Sequence, residues 1–130
     1  LQSAYREVAA NKGAPGVDNI TIEDFTAGLQ RNIDKLEQQL RDGTYVPQSI
    51  KRVHIPKPGT NETRPLGIPT VRDRVVQNAL RHVLEPILDR QFAEHSYGFR
   101  PNRGCKDALR RVDGLLRRGF KYTVDVDLKS

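Results

Sequence analysis

The sequence predicts an α+β fold: helices, one β-hairpin and a first strand of a sheet that the chain itself does not complete. Three observations carry that prediction. Apolar residues recur at three- and four-residue spacing from Ile22 to Leu40 and again from Val75 to Leu88, the mark of helices with one buried face. Between these stretches the pattern turns to β-branched residues alternating with basic and polar ones, around Pro58-Gly-Thr-Asn61. The final stretch, Phe120 to Lys129, follows a glycine and again has strand character.

Each element follows from its residues. Leu1 to Ala10 reads as the tail of a helix, broken by the Gly/Pro loop Asn11-Lys-Gly-Ala-Pro-Gly16. Thr21 caps one continuous helix with the stripe Ile22, Phe25, Leu29, Ile33, Leu36 and Leu40, stopped at Gly43. Tyr45 to Ile55 and Thr63 to Ile68 form the two legs of the hairpin. Thr70 then caps a second helix, with Asp73 three residues on in a capping-box arrangement. Its stripe is Val75, Val76, Ala79, Leu80, Val83, Leu84, Ile87 and Leu88, and Pro86 marks Glu85 as its regular end. An aromatic loop, Ser96-Tyr-Gly-Phe-Arg-Pro-Asn102, leads to a third helix from Gly104 to Arg118. Ala108, Leu109, Val112, Leu115 and Leu116 are its core face, and Gly119 is its terminator.

Composition bounds the function. The chain has 130 residues, 36% of them hydrophobic and 29% charged, enough for a modest core in one domain or a piece of one. No apolar run nears the roughly 18 residues of a membrane span, and Leu1 begins no signal-peptide pattern. Cys105 stands alone, which excludes an internal disulfide or a cysteine zinc site and fits a reducing, bacterial cytoplasm; it reads as a small buried helix residue. His54, His82 and His95 lack metal-ligand spacing and receive no chemistry.

The net charge of +6 is concentrated. Residues 64–118 hold 12 of the 22 basic side chains and 6 of the 16 acidic ones, so the whole excess lies there. On the third helix Arg103, Lys106, Arg110 and Arg117 fall at spacings that align them on one side, opposite the apolar stripe. Such a ridge suits a phosphate backbone, which it positions without reading sequence; the plain alternative is a solvated helix face. Asp125 and Asp127, two residues apart on the terminal strand, share a face. Paired carboxylates repel unless a cation joins them, and Mg²⁺ takes such hard oxygen ligands; the alternative is a solvated strand end.

Four segments, in order, resemble the reverse-transcriptase family, and within it the group II intron-encoded reverse transcriptase/maturases. They are Asn11-Lys-Gly-Ala-Pro-Gly-Val-Asp18; Ile55-Pro-Lys-Pro-Gly59 with Arg64-Pro-Leu-Gly-Ile-Pro-Thr-Val-Arg-Asp-Arg74; Glu94-His-Ser-Tyr-Gly-Phe-Arg-Pro101; and Val124-Asp-Val-Asp-Leu-Lys129. Retron and diversity-generating enzymes share parts of the pattern. The resemblance implies the fingers of a right-hand polymerase in residues 1–119, and the first palm strand with its first catalytic aspartate in 120–130. The implied function is RNA-directed DNA polymerisation with intron RNA binding, using an RNA template or intron, a DNA primer or target, deoxynucleoside triphosphates and two Mg²⁺ ions.

Residue by residue, Asp127 matches the family's first metal-binding aspartate, and the backbone carbonyl of Leu128 is a further donor to the same ion. Asp125 falls where the family varies. Lys57 and Arg64 match the pair that grips the incoming triphosphate, on a turn one residue longer than in some relatives, and Ile68 matches the apolar residue against the templating base. Gly67 before it permits close backbone approach. Arg100, Arg103, Lys106, Arg110 and Arg117 are the nucleic-acid contacts, and Tyr97 and Phe99 either stack on bases or pack beneath their loop.

The family's second motif, an aromatic residue followed by x-Asp-Asp, does not occur in this sequence. The expectation is therefore a piece of a longer enzyme, inactive alone, with a strand at 121–128 open to self-association. A non-catalytic RNA-binding splicing cofactor on the same scaffold is the alternative. An unrelated phosphotransferase or nuclease with an Asp site explains Asp127 but not the Lys57 and Arg64 hairpin.

Overall fold

A computed structural model describes residues 1–128. The chain divides into two compact units, Leu1–Pro86 and Ile87–Ser130.

In the first unit, helix α1 spans Gln2–Ala10, α2 Ile22–Ala27 and α3 Leu29–Arg41. Strands β1 (Lys51–Pro56) and β2 (Thr63–Ile68) follow, and then helix α4, Val71–Leu88, most of which belongs to this unit. Its core is small and entirely helical: Ala4, Tyr5 and Val8 of α1, Phe25 of α2, Ile33 and Leu36 of α3, and Val71, Val75 and Val76 of α4. The Tyr5 and Phe25 rings stack with centroids 5.8 Å apart, and the Tyr5 hydroxyl lies 2.5 Å from Thr26 Oγ1. Polar contacts fasten α1 to α4. Glu7 accepts from Asn78 (2.9 Å) and Arg81 (2.6 Å), and its other oxygen lies 2.7 Å from His82 Nε2. His82, given no chemistry from sequence, has a structural partner.

The single helix expected after Thr21 is two. Thr21 and Asp24 form the full capping box, bonding each other's backbone amides at 3.1 and 3.0 Å. The apolar stripe runs as read, but the helix breaks at Gly28, where the Asn32 side chain donates to the Phe25 carbonyl at 2.9 Å. Glycine gives up more backbone freedom than any other residue on becoming helical, and an amide side chain here competes for a helix carbonyl.

The hairpin is antiparallel, with Lys51 paired to Ile68 and Pro56 to Thr63. It contributes nothing to the buried core, and β1 begins later than expected because residues 45–50 are engaged elsewhere. α4 continues through Pro86 to Leu88, beyond the expected end at Glu85. Proline removes one rung of the helix, but its fixed φ remains helical.

The second unit, followed to Leu128, holds a 3₁₀ turn at Asp89–Gln91, the aromatic loop and helix α5, Cys105–Arg117. Asp107 caps α5, accepting from the Gly104 amide at 3.0 Å, and Gly119 ends it at φ +91°, the left-handed region glycine favours. Three expectations are corrected here. The α5 face with Leu109, Val112 and Leu116 is exposed, because the described residues of this unit supply no layer to cover it. Cys105 is exposed in the first turn. Residues 120–128 form no strand, and Tyr122, Val124, Val126 and Leu128 lie open to solvent. A strand is stabilised by its ladder partner, and none is present among the described residues.

Candidate nucleotide and nucleic-acid sites

The hairpin carries the first candidate site. Side chains alternate across a strand, so the register assigns Lys51, Val53 and Ile55 to one face with Arg64, Leu66 and Ile68. Past the end of β1 the Lys57 amide donates to the Glu62 carbonyl at 2.9 Å, extending the ladder and adding Lys57 and Glu62 to that face. Lys57, Arg64 and Ile68 are thus brought together on one surface. The two cations are diagonal neighbours near the tip, and Ile68 is half-buried at the base. The turn closes through Thr60 N–H to the Lys57 carbonyl (3.3 Å), with Gly59 left-handed at φ +76°. Lys57 Nζ donates to Glu62 Oε2 at 2.7 Å, whereas Arg64 has no ion pair among the described residues. At Gly67 a Cβ would lie 2.8 Å from Ile50 Cγ2, so the Ile50 side chain takes the space that the glycine leaves.

One buried carboxylate holds the hairpin's base. Asp73, only 2% exposed, accepts from the Tyr45 hydroxyl (2.7 Å), the Gln48 amide (3.0 Å) and the Thr70 hydroxyl (2.8 Å). Gln48 lies just before β1 and Thr70 just after β2, so both legs are anchored to the same side chain. Desolvation, then the bond to Asp73, pushes the Tyr45 hydroxyl up to about 12. The Arg72 guanidinium lies over the Tyr45 ring, 4.9 Å from its centroid.

The second unit sorts its arginines into two kinds. Arg100 is turned inward, its side chain 6% exposed. Nε donates to Asp89 Oδ1 at 2.6 Å, Nη2 to the Asp89 carbonyl at 2.8 Å and Nη1 to the Ala93 carbonyl at 3.0 Å. The hydrogen bond from Arg100 lowers the Asp89 carboxyl below the usual range, and the same bond raises Arg100. Arg103 precedes α5 rather than riding on it and donates to the Glu94 and Ser96 carbonyls. These two arginines organise the loop, and four of the five N–H groups of Arg100 are engaged within it. Phe99 stands fully exposed at φ +55°, so it does not pack beneath the loop. Tyr97 is half-buried with Arg103 over its ring at 5.9 Å.

The outward cations are on α5. Lys106, Arg110 and Arg117 share a face opposite the apolar stripe, as their spacing predicts, and all three are exposed. Arg110 pairs with Asp107 and Arg117 with Asp113, each at 2.8 Å. Open pairs of this kind contribute little to stability. Asp125, Asp127 and Leu128 lie exposed in the segment outside regular structure.

Two comparisons bear on these sites. The profile of the family described as "Reverse transcriptase (RNA-dependent DNA polymerase)" matches residues 55–130, from the hairpin through Asp127. The chain belongs to the reverse transcriptase family. Group II intron-encoded protein LtrA of Lactococcus lactis subsp. cremoris is 39% identical over 129 residues, covering 98% of this chain and 21% of its own length. Protein YkfC of Escherichia coli (strain K12) is 42% identical over 137 residues, covering all of this chain and 35% of its own. The putative COX1/OXI3 intron 1 protein of Saccharomyces cerevisiae is 32% identical over 132 residues and matched over 15% of its length. The reverse transcriptase chain described here thus spans about a fifth of the Lactococcus relative, and its resemblance to intron-encoded members extends over nearly all its residues.

For the magnesium that this family implies, the donor set here fits in kind and falls short in number. The Asp127 carboxylate and Leu128 carbonyl are hard oxygen donors of the sort Mg²⁺ takes. No group of three acidic, histidine or cysteine side chains gathers among the described residues. Among the described residues, no helix is long and apolar enough to cross a membrane.

Sequence reasoning missed Asp73 as the hairpin's anchor and Glu62 as the partner of Lys57. A signal existed for the first: the aspartate read as a cap lies in the first turn of a helix between Val71 and Val75, both of which are fully buried. For Glu62 the register was the missing piece.

Proposed function

We propose that this chain is the nucleotide-gripping and first-aspartate portion of an RNA-directed DNA polymerase of the group II intron reverse transcriptase/maturase kind. The observation that carries the reading is the common face of Lys57, Arg64 and Ile68 on a hairpin inside a reverse transcriptase match. Residues 1–119 are its fingers and 120–130 the start of its palm.

Lys57 and Arg64 bind the triphosphate of an incoming deoxynucleotide, the ammonium as a point charge and the guanidinium as a fork on two oxygens. Ile68, at the other end of that face, offers an apolar surface to the templating base. Lys106, Arg110 and Arg117, aided by the partly engaged Arg103, hold the RNA backbone of template or intron. Asp127, with the Leu128 carbonyl, would hold Mg²⁺, whose chemistry there would be activation of the primer hydroxyl and charge stabilisation at the leaving pyrophosphate. The bacterial relatives and the lone cysteine favour a bacterial cytoplasm. With one carboxylate of the site, the 130-residue chain alone does not polymerise.

The test is RNA-templated primer extension with Mg²⁺ by the protein in its full reading frame, beside its Asp127→Ala variant, with RNA affinity measured for both. Extension by the parent and none by a variant that still binds RNA supports the reading. If neither extends and both bind equally, the scaffold serves RNA binding and splicing without catalysis. Templated extension by the isolated 130 residues would remove the division of labour proposed for Asp127.

A further inference from the structure

We infer that Glu62 is an intramolecular competitor for the ammonium of Lys57 and thereby sets how tightly the hairpin takes a nucleoside triphosphate. The inference rests on the reading of Lys57 and Arg64 as triphosphate ligands. It adds a specificity-determining residue that the turn itself supplies.

The geometry is local. Lys57 and Glu62 face each other across the last rung of the ladder, joined by the 2.9 Å backbone bond and the 2.7 Å ion pair. Glu62 is also fixed through its own backbone, its amide donating to Thr60 Oγ1 at 3.3 Å. The residues between, Pro58 to Asn61, carry no charge, so nothing else in the turn neutralises Lys57. Glu62 also precedes Arg64 by two positions on the same face, roughly 7 Å along the strand. Its carboxylate therefore lowers the field that both cations present to an anion, leaving a net charge of one on a site built from two cations.

The pair is open to water, with side chains 46% and 69% exposed. Exposed pairs of this kind are weak, and a triphosphate bearing several charges outcompetes a single carboxylate. Binding is thus an exchange of one anion for another. Ligands with fewer charges, such as a monophosphate, gain less from the exchange and are disfavoured.

The experiment titrates the 130-residue chain with a deoxynucleoside triphosphate and, separately, with inorganic tripolyphosphate, following the amide resonances of residues 51–68 by NMR. Unliganded spectra establish that each variant keeps its hairpin. Glu62→Gln tightens both ligands about two- to fivefold, the span of an exposed ion pair. Lys57→Gln weakens both, and adding Glu62→Gln to it restores less than the single substitution gains. Glu37→Gln, an exposed acid on α3, changes neither affinity. If Glu62→Gln leaves affinity unchanged while Lys57→Gln weakens it, the competitor role is wrong and the grip stands. Equal tightening with or without Lys57, or with Glu37→Gln, reduces Glu62 to general charge and overturns the inference. If Lys57→Gln and Arg64→Gln both leave affinity unchanged, the triphosphate grip fails too.

Discussion

The Tyr45 hydroxyl donates a 2.7 Å hydrogen bond to Asp73 across 28 residues of chain, tying the segment that enters the hairpin to the helix that leaves it. Removing the donor leaves a buried carboxylate oxygen short of a partner. Tyr45→Phe should cost about 1–3 kcal/mol in urea unfolding. The pH dependence has a definite sign. Since the folded hydroxyl is raised from 10.0 to about 12, its contribution is complete below pH 10 and is lost as pH climbs toward 12. Alkaline titration of tyrosinate absorbance should show a late component that Tyr45→Phe removes.

Arg100 and Asp89 respond at the other end of the pH scale. Asp89 is held below the ordinary carboxylate value by the Arg100 hydrogen bond, so its contribution is present above that ordinary value and disappears as pH falls through the lowered one. The Arg100 Nε–H resonance should be protected at neutral pH and lose protection in acid. Arg100→Lys should loosen residues 89–103 in hydrogen exchange nearly as much as Arg100→Ala, because an ammonium cannot serve the fork-like set of acceptors.

Two glycines should move in opposite directions. A Cβ on Gly16 would lie 2.7 Å from the backbone nitrogen and Cα of Thr70, so Gly16→Ala should destabilise the first unit by about 1–3 kcal/mol in thermal unfolding. Gly114, inside α5, has open space where its Cβ would be. Gly114→Ala should raise helicity by circular dichroism, worth about 1 kcal/mol in a helix interior.

The α5 face makes an ionic-strength prediction. Substituting Lys106, Arg110 and Arg117 together by Gln should weaken binding to single-stranded RNA irrespective of sequence. The dependence of log affinity on log salt should flatten by about 2, at roughly 0.7 for each phosphate that is no longer neutralised. An unchanged slope would assign those side chains to solvent alone.

Much of this was legible in the sequence where the signal is local. Thr21 with Asp24, Thr70 with Asp73, Gly119 after α5 and the Pro-Gly turn each write their geometry into adjacent residues. The common face of Lys57, Arg64 and Ile68 needed only the period of a strand and a register. What stayed hidden depends on distant partners. The stripe of α5 reads as a core face, yet burial requires a second layer. The terminal strand reads as a strand, yet its state depends on a neighbour. Arg100 was read by charge as a phosphate contact. Only folding shows that the Asp89 carboxylate and three carbonyls engage it, because charge patterns do not reveal which way a side chain turns.

The anchoring of both hairpin legs to Asp73 makes that aspartate a pivot for a lever whose far end carries Lys57 and Arg64. A two-stranded ribbon outside the core has little else to fix its aim. On the function proposed above, a nucleotide-binding screen would accordingly respond to Asp73, although Tyr45, Gln48 and Thr70 close over its carboxylate. On that same function, its variants would misplace Lys57 and Arg64 and weaken nucleotide affinity, with the loss of stability that follows from removing a buried, fully bonded carboxylate.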